Sequence, residues 1–241
     1  MRKINLDIER EFENRKAKGG DSRKSQSKFY WATYIPTIRH NLNSFKKIKD
    51  KRILEIGCSS GLDAISYTKY AAFYCGIDIS DEAIKNAINL KLKNSEFLCV
   101  DGHKIPKEDE YFDCVVVNSL LHHLDLTKSF SEINRVLKSG GYLIFREPLG
   151  TNPFFQLYRY LTPSSRTPDE RPFTLNDINL MKKYFHLQNV EWFGFLSVFS
   201  AFLQIKFIRR ILTFFDYCLS KTFIKIFFWQ FCGFALKKNL K

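Results

Sequence analysis

The side chains that could do chemistry fall at four places in a chain of 241 residues. The first is Glu55-Ile56-Gly57-Cys58-Ser59-Ser60-Gly61, where a short apolar run ends in an acid and turns through Gly-x-x-x-Gly. Glycines there let the backbone pass beneath a ligand with no Cβ in the way, and the helix that follows offers free N–H groups. The segment therefore reads as a cradle for a nucleotide cofactor. A dinucleotide fingerprint would need a further glycine where this chain has Leu62. The second place is Asp78, 21 residues after Gly57, where a carboxylate can take both hydroxyls of a ribose. The third is the pair His122-His123 and the fourth is Glu147. A neutral imidazole can take a proton from an acceptor hydroxyl.

These residues stand where one element hands over to the next. Residues 53–56, 74–80, 97–101 and 111–118 are short apolar runs and read as strands. Phe130, Ile133, Val136 and Leu137 recur at the helical period, and Lys138-Ser139-Gly140-Gly141 reads as a glycine cap before a fifth strand at 142–145. At the other end, Ile4, Ile8, Phe12 and Arg15 share one helical stripe. Gly19-Gly20-Asp21 interrupts it, and Phe29-Tyr30-Trp31 follows.

In this order the motifs resemble the class I S-adenosylmethionine (SAM) dependent methyltransferases, in their type 11, UbiE-like group of small-molecule enzymes. Glu55 to Gly61 is similar to the family's Glu/Asp-x-Gly-x-Gly-x-Gly motif, with Ser59 in place of the middle glycine. Arg135 to Gly141 is similar to the block before its fifth strand, so the match spans roughly residues 50 to 150. The resemblance implies an α/β fold: a Rossmann-like sheet of seven strands, five parallel and then a C-terminal antiparallel hairpin, flanked by helices. Strand six would lie at 186–197 and strand seven at 223–236. It implies SAM as cofactor and S-adenosylhomocysteine as product, bound by Glu55, Gly57, Ser59, Gly61, Asp78, Ile79, Asp101, Gly102 and Asn118, with Asp101 taking the adenine amino group. His122, His123 and Glu147 would then stand beside the transferable methyl as catalytic candidates, His122 facing the pocket. A base is not obligatory, because in-line displacement from a sulfonium can be accelerated by proximity and orientation.

The same resemblance divides the chain into a helical cap at 1–50 and a methyltransferase domain at 51–241 with a substrate lid at 146–185, and helical periodicity adds an amphipathic region at 198–222. Tyr30, Arg166 and Arg171 are the candidate acceptor-binding residues. The competing readings are that the rings at 29–31 pack as core and that the charged lid is a solvated crossover.

The net charge of +13 lies at the ends. Residues 1–52 hold 15 Lys/Arg against 6 Asp/Glu, and residues 195–241 hold 8 against 1. Such surfaces attract nucleic acid, anionic lipid or phosphorylated substrates, or are merely solvated. Nucleic acid is not the expected partner: Asn118-Ser119-Leu120-Leu121 stands where an Asn-Pro-Pro-Tyr motif would, and no RNA-binding module is recognisable. An RNA methyltransferase is the alternative enzyme, and a non-catalytic SAM-binding scaffold, raised by Ser59, is the alternative from another class. The six cysteines lack CxxC spacing and read as core thiols of a cytoplasmic protein, with no metal expected. No secretion signal is evident at the N-terminus.

Val198, Phe199, Phe202, Ile205, Ile208, Ile211, Leu212, Phe215 and Leu219 recur at helical spacing, with Lys206, Arg209, Arg210 and Lys221 on the polar face. Charges keep every apolar run short of the roughly 18 residues of a membrane span. The stripe reads either as core or as an interfacial helix peripheral to an anionic membrane. The expected acceptor is a small or lipid-linked molecule.

Overall fold

A computed structural model describes residues 5–19, 27–163, 167–168 and 170–239. Three helices, α1 (Leu6–Ala17), α2 (Ser27–Ala32) and α3 (Tyr34–Ile48), lead into β1 (Arg52–Ile56). Then come α4 (Ala64–Tyr67), β2 (Phe73–Asp78), α5 (Asp81–Ile88), β3 (Ser95–Cys99), β4 (Phe112–Asn118), α6 (Leu126–Val136) and β5 (Leu137–Pro148). The chain continues through α7 (Pro153–Leu161), α8 (Leu175–Tyr184), β6 (Phe185–Phe193), α9 (Ser200–Leu203), α10 (Lys206–Leu219) and β7 (Gln230–Lys237).

The sheet runs β3-β2-β1-β4-β5-β7-β6. The first five strands pair in parallel, and β7 lies between β5 and β6, antiparallel to both. The expected hairpin is thus present, and its geometry makes β6 point the same way as the first five strands. Helices cover both faces, which is why the inner strands are nearly continuous apolar runs. Alternate residues serve opposite layers. Leu54, Ile56, Val115, Val117, Leu143 and Phe145 pack with Phe130 and Ile133 of α6, while Ile53, Cys114, Val116 and Ile144 pack with Ile48, Ala64 and Tyr67.

Three boundaries differ from the sequence reading. The helix before β5 stops at Val136, and Leu137 already pairs with Phe112. Gly140, at φ +74°, then sits in a strand irregularity and does not cap the helix. Strand six ends at Phe193, and the apolar stretch before β7 starts as a 3₁₀ turn at Phe223–Phe227.

The stripe at 198–219 is a helix pair, broken where Gln204 takes a left-handed conformation (φ +54°). Its inward residues Ile208, Leu212 and Leu219 are partly buried, Leu219 against the core, but much of the stripe faces outward. Phe199, Phe202, Ile205, Ile211 and Phe215 are exposed, and the two fully buried side chains of α10 are Arg209 and Asp216. Arg209 therefore leaves the exposed cationic face expected for it: its guanidinium lies 4.3 Å over the Trp31 ring and donates to the Trp31 carbonyl at 3.1 Å. Asp216 accepts from the backbone N–H groups of Phe195 (3.1 Å), Leu196 (2.6 Å) and Ser197 (3.2 Å) and from Ser197 Oγ (2.6 Å). The carboxylate satisfies a turn that would otherwise bury its donors unpaired. Among the described residues no helix is long and apolar enough to cross a membrane.

Asp216→Ala leaves those donors without a partner, at about 1–3 kcal/mol for each one that stays dry. Denaturant unfolding should show a loss of about 3 kcal/mol or more, with Asp216→Asn intermediate. Equal stability of Asp216→Ala and the parent would remove the anchoring role of this residue.

Candidate active site

The carboxyl ends of β1, β2 and β4 border a cavity of about 510 Å³. Gly57 (φ +77°), Ser59 (φ +48°) and Gly61 (φ +74°) all take left-handed backbone in the turn after β1. A Cβ on Gly57 would meet Leu120 Cδ2 at 2.9 Å, and one on Gly61 would meet Ala87 Cβ at 3.0 Å. Ser59, in the place of the motif's glycine, tolerates the conformation at a cost of roughly 1–2 kcal/mol. Its N–H donates to Asp78 Oδ2 at 2.9 Å, and Ser80 N–H donates to Oδ1 at 2.9 Å. The carboxylate is thereby held at the cavity wall. Burial raises the Asp78 pKa, and these two donors oppose the rise.

Ile79, Asp101, Gly102 and Asn118 line the same cavity. Asp101 accepts from His103 N–H at 3.0 Å and faces His103 Nδ1 at 2.6 Å. Burial would push its pKa up, but the contacts with His103 win and hold it below the usual value. Asn118 Nδ2 donates to the Tyr67 hydroxyl at 3.3 Å, while its Oδ1 is buried with no partner among the described residues. Such an orphaned acceptor at a cavity wall fits a donor on a bound molecule. Gly61 shapes the turn without lining the cavity. Glu55 lies beneath it, buried, accepting from the Tyr74 hydroxyl at 2.5 Å. Burial and then Asp63 push the Glu55 pKa up to about 8.

Leu6, Glu9, Glu13 and Lys16 of α1, with Ser27 and Tyr30 of α2, line the remaining side. Asn14 docks α1 on the start of α5, donating to Asp81 Oδ1 (2.8 Å) and accepting from Ser80 Oγ (2.6 Å).

A second cavity of about 420 Å³ adjoins the first, sharing Tyr30 and Ser119. Its wall is largely aromatic: Phe29, Phe155, Tyr158, Phe195, Phe202 and Trp229, with Phe155 stacked on Trp229 at 5.1 Å. Of the three rings at 29–31, Phe29 and Tyr30 face this cavity and Trp31 does not.

His122 and His123 stand between the two cavities, their rings 4.2 Å apart. Glu147, fully buried at the end of β5, accepts at Oε1 from Leu120 N–H (3.0 Å) and Leu121 N–H (2.9 Å). Its Oε2 lies 2.7 Å from His122 Nδ1. Burial raises the Glu147 pKa to about 7 against the pull of those donors. His123 Nδ1 is 2.9 Å from Glu9 Oε1, and its Nε2 is 3.7 Å from Glu170 Oε2. Burial alone would lower the His123 pKa, but Glu9 and Glu170 raise it. For both carboxyls burial is outweighed, chiefly by His123, and each lies below its ordinary value.

Arg171 lines neither cavity; it forks onto Asp177 at 2.5 and 2.8 Å, within the capping box of α8. Arg166 lies outside the described residues. Sequence reading missed Glu9, Asn14, Arg159 and Trp229. Only Glu9 had left a signal, as an acid three residues before Phe12 on the buried side of α1. His122, His123 and Glu170 bring ligand-type atoms within 4.8 Å of one another, but Glu170 is also held by Arg159 at 2.8 Å.

Residues 54–145 match the family described as "Methyltransferase domain". The chain is 25% identical over 197 residues to the phthiotriol/phenolphthiotriol dimycocerosates methyltransferase 1 of Mycobacterium ulcerans, covering 76% of this chain and 73% of that one. It is 29% identical over 117 residues to the ubiquinone biosynthesis O-methyltransferase of Coxiella burnetii, covering 47% of this chain and about half, 49%, of that one. In fold it is similar to geranyl diphosphate C-methyltransferase from Streptomyces coelicolor, solved with Mg²⁺, geranyl diphosphate and S-adenosylhomocysteine. The TM-score is 0.64 at 11% identity, over 85% of this chain and 80% of that one.

Two outcomes follow from the cofactor-side geometry. The sequence reading gives Asp78 the ribose hydroxyls of SAM, so Asp78→Ala should weaken SAM and S-adenosylhomocysteine by about 1.5–3 kcal/mol in calorimetry; unchanged affinity would overturn that role. Glu55 keeps its proton in the fold to about pH 8, against an ordinary value of 4.5. The resulting stability is complete below pH 4.5 and is lost as pH rises through about 8. The decline should not exceed about 1.4 kcal/mol per pH unit. Melting temperatures should fall over that window and fall less in Glu55→Gln; identical slopes would mean that Glu55 is already ionised.

Proposed function

The chain belongs to the class I SAM-dependent methyltransferases, and from that premise we propose that it methylates an apolar, small or lipid-linked acceptor held in the aromatic cavity, with His122 as the base. One observation carries the reading: an apolar cavity opens on a buried imidazole–carboxylate pair and shares a wall with the cofactor cavity. The names of the two relatives, a dimycocerosates methyltransferase and a ubiquinone biosynthesis methyltransferase, agree with such an acceptor class.

The residues that would hold SAM are Gly57, Ser59, Asp78, Ile79, Asp101, Gly102 and Asn118, and the orphaned Asn118 Oδ1 fits it. SAM supplies an electrophilic methyl. The protein's part is to place the acceptor and take its proton. Aromatic walls exclude water and orient a ring or chain. Glu147, fixed by two backbone donors, holds His122 at Nδ1 so that the acceptor's proton is received at Nε2, and the ionised carboxylate stabilises the imidazolium that forms. His123 acts differently: through Glu9 and Glu170 it ties α1, on the cofactor side, to the segment before α8, on the acceptor side. Tyr30, Glu170 and Arg159 complete the acceptor wall.

The test is release of S-adenosylhomocysteine on addition of fractions of a lipid extract, with a nucleic acid fraction, intact and after nuclease digestion, beside them. Turnover with the lipid fractions is expected. Turnover only with RNA would overturn the acceptor class, and no turnover with any fraction while SAM binds would favour a scaffold. His122→Ala should lower transfer by about 10²- to 10⁴-fold and spare SAM affinity. Because Glu147 must be ionised, activity should rise with pH through about 7, and Glu147→Gln should lose that dependence. Equal loss of SAM binding and turnover in His122→Ala would make it a folding residue.

A further inference from the structure

We propose that the outward surface of α10, continuous with α7 and α9, docks on an anionic lipid bilayer, and that the acceptor enters the aromatic cavity from that bilayer. The proposal rests on the reading of this cavity as the acceptor site.

The first argument is the polarity of α10. A surface helix ordinarily turns its apolar stripe inward and its charges out. Here the inward side carries Arg209, seated on Trp31, and Asp216, capping the turn at 195–197. Phe207 (70% exposed), Ile211 and Phe214 (63%) stand outward on the opposite side. Turning the phenylalanines inward would tear out both polar anchors, so the apolar face is held toward solvent by the fold itself.

The second argument is continuity with the cavity. Phe154, Phe199 and Phe202 line it and are themselves largely exposed, so they form its rim. Beside them on α7, Leu157, Tyr160 and Leu161 are exposed as well. The apolar surface thus leads from the outside of α10 to His122.

The third argument is charge. Asp216 is the single acid between residues 195 and 241, and it is buried. The exposed charges of this segment's described part are cationic, among them Lys206, Arg210, Lys221 and Lys225. Apolar side chains flanked by cations match a bilayer with anionic headgroups. A second copy of the chain suits the face less well, because a two-fold contact would set these cations against themselves.

Flotation with phosphatidylcholine vesicles containing phosphatidylglycerol decides the matter. The protein should float at low salt, and Phe207→Ser and Phe214→Ser should each weaken partitioning by about tenfold. Lys206→Gln and Arg210→Gln should each weaken it by about fivefold, with the difference vanishing at high salt. None of these four lines a cavity, so S-adenosylhomocysteine affinity, measured by calorimetry, should hold and report that each variant is folded. A folded protein that stays at the bottom of the gradient overturns the proposal. So does flotation that the phenylalanine variants leave unchanged, and so does a dimer in solution that those variants dissolve. Quenching of tryptophan fluorescence on addition of an alkylphenol, with Trp229→Phe as the control that removes the cavity's own tryptophan, reads the cavity separately. Quenching without flotation rejects the membrane and keeps the acceptor site, and flotation without quenching rejects the acceptor site and, with it, entry from the bilayer.

Discussion

The Glu147 carboxylate is the contact on which the site depends. It is fully buried at the end of β5, and its partners, two backbone N–H groups and the His122 ring, all belong to the turn after β4. A buried carboxylate without partners would be costly, so the turn after β4 has one arrangement that answers it. That arrangement sets Leu120 against Gly57, and so the depth of the cofactor turn, and places His122 and His123 on the partition between the two cavities. The two cavities are linked through one residue, which touches neither.

Much of the cofactor side could be read in the sequence because it is local. A strand, a left-handed turn and an acid at the end of the next strand leave marks within a few residues of one another. Gly57, Asp78 and Asp101 line one cavity. Even Ser59, which departs from the motif, keeps the left-handed backbone of the glycine it replaces. The parallel strands and the closing hairpin followed from the family resemblance rather than from hydropathy, since an apolar run of five residues does not say which neighbour it joins.

The partition between the cavities and the aromatic cavity beyond it were less legible because they are assembled from distant segments. Glu9 meets His123, Tyr30 meets Trp229, and Arg159 meets Glu170 only after the chain has folded. Arg171 shows the reverse: a charge that seems available in sequence is consumed by Asp177, six residues on. The 198–219 stripe had the period of a core helix, but periodicity gives an axis and not a direction. Which side faces inward was decided by two polar contacts, Arg209 with Trp31 and Asp216 with the 195–197 turn, that no spacing rule encodes.

The position of β7 bears on how the protein is made. This strand follows both of its neighbours in the chain yet lies between them. As the polypeptide leaves the ribosome, β1 to β5 can zip together in sequence, while β6 has no partner until residues 230–237 emerge. Pairings of such long sequence separation are slow to close. During that interval the free edge of β5 offers unpaired donors and acceptors to any other strand, so the nascent chain would gain from a chaperone over this edge. Trp229 and Gln230, which wall the aromatic cavity, arrive with the last strand. The turn after β1 can therefore form before the aromatic cavity has its far wall.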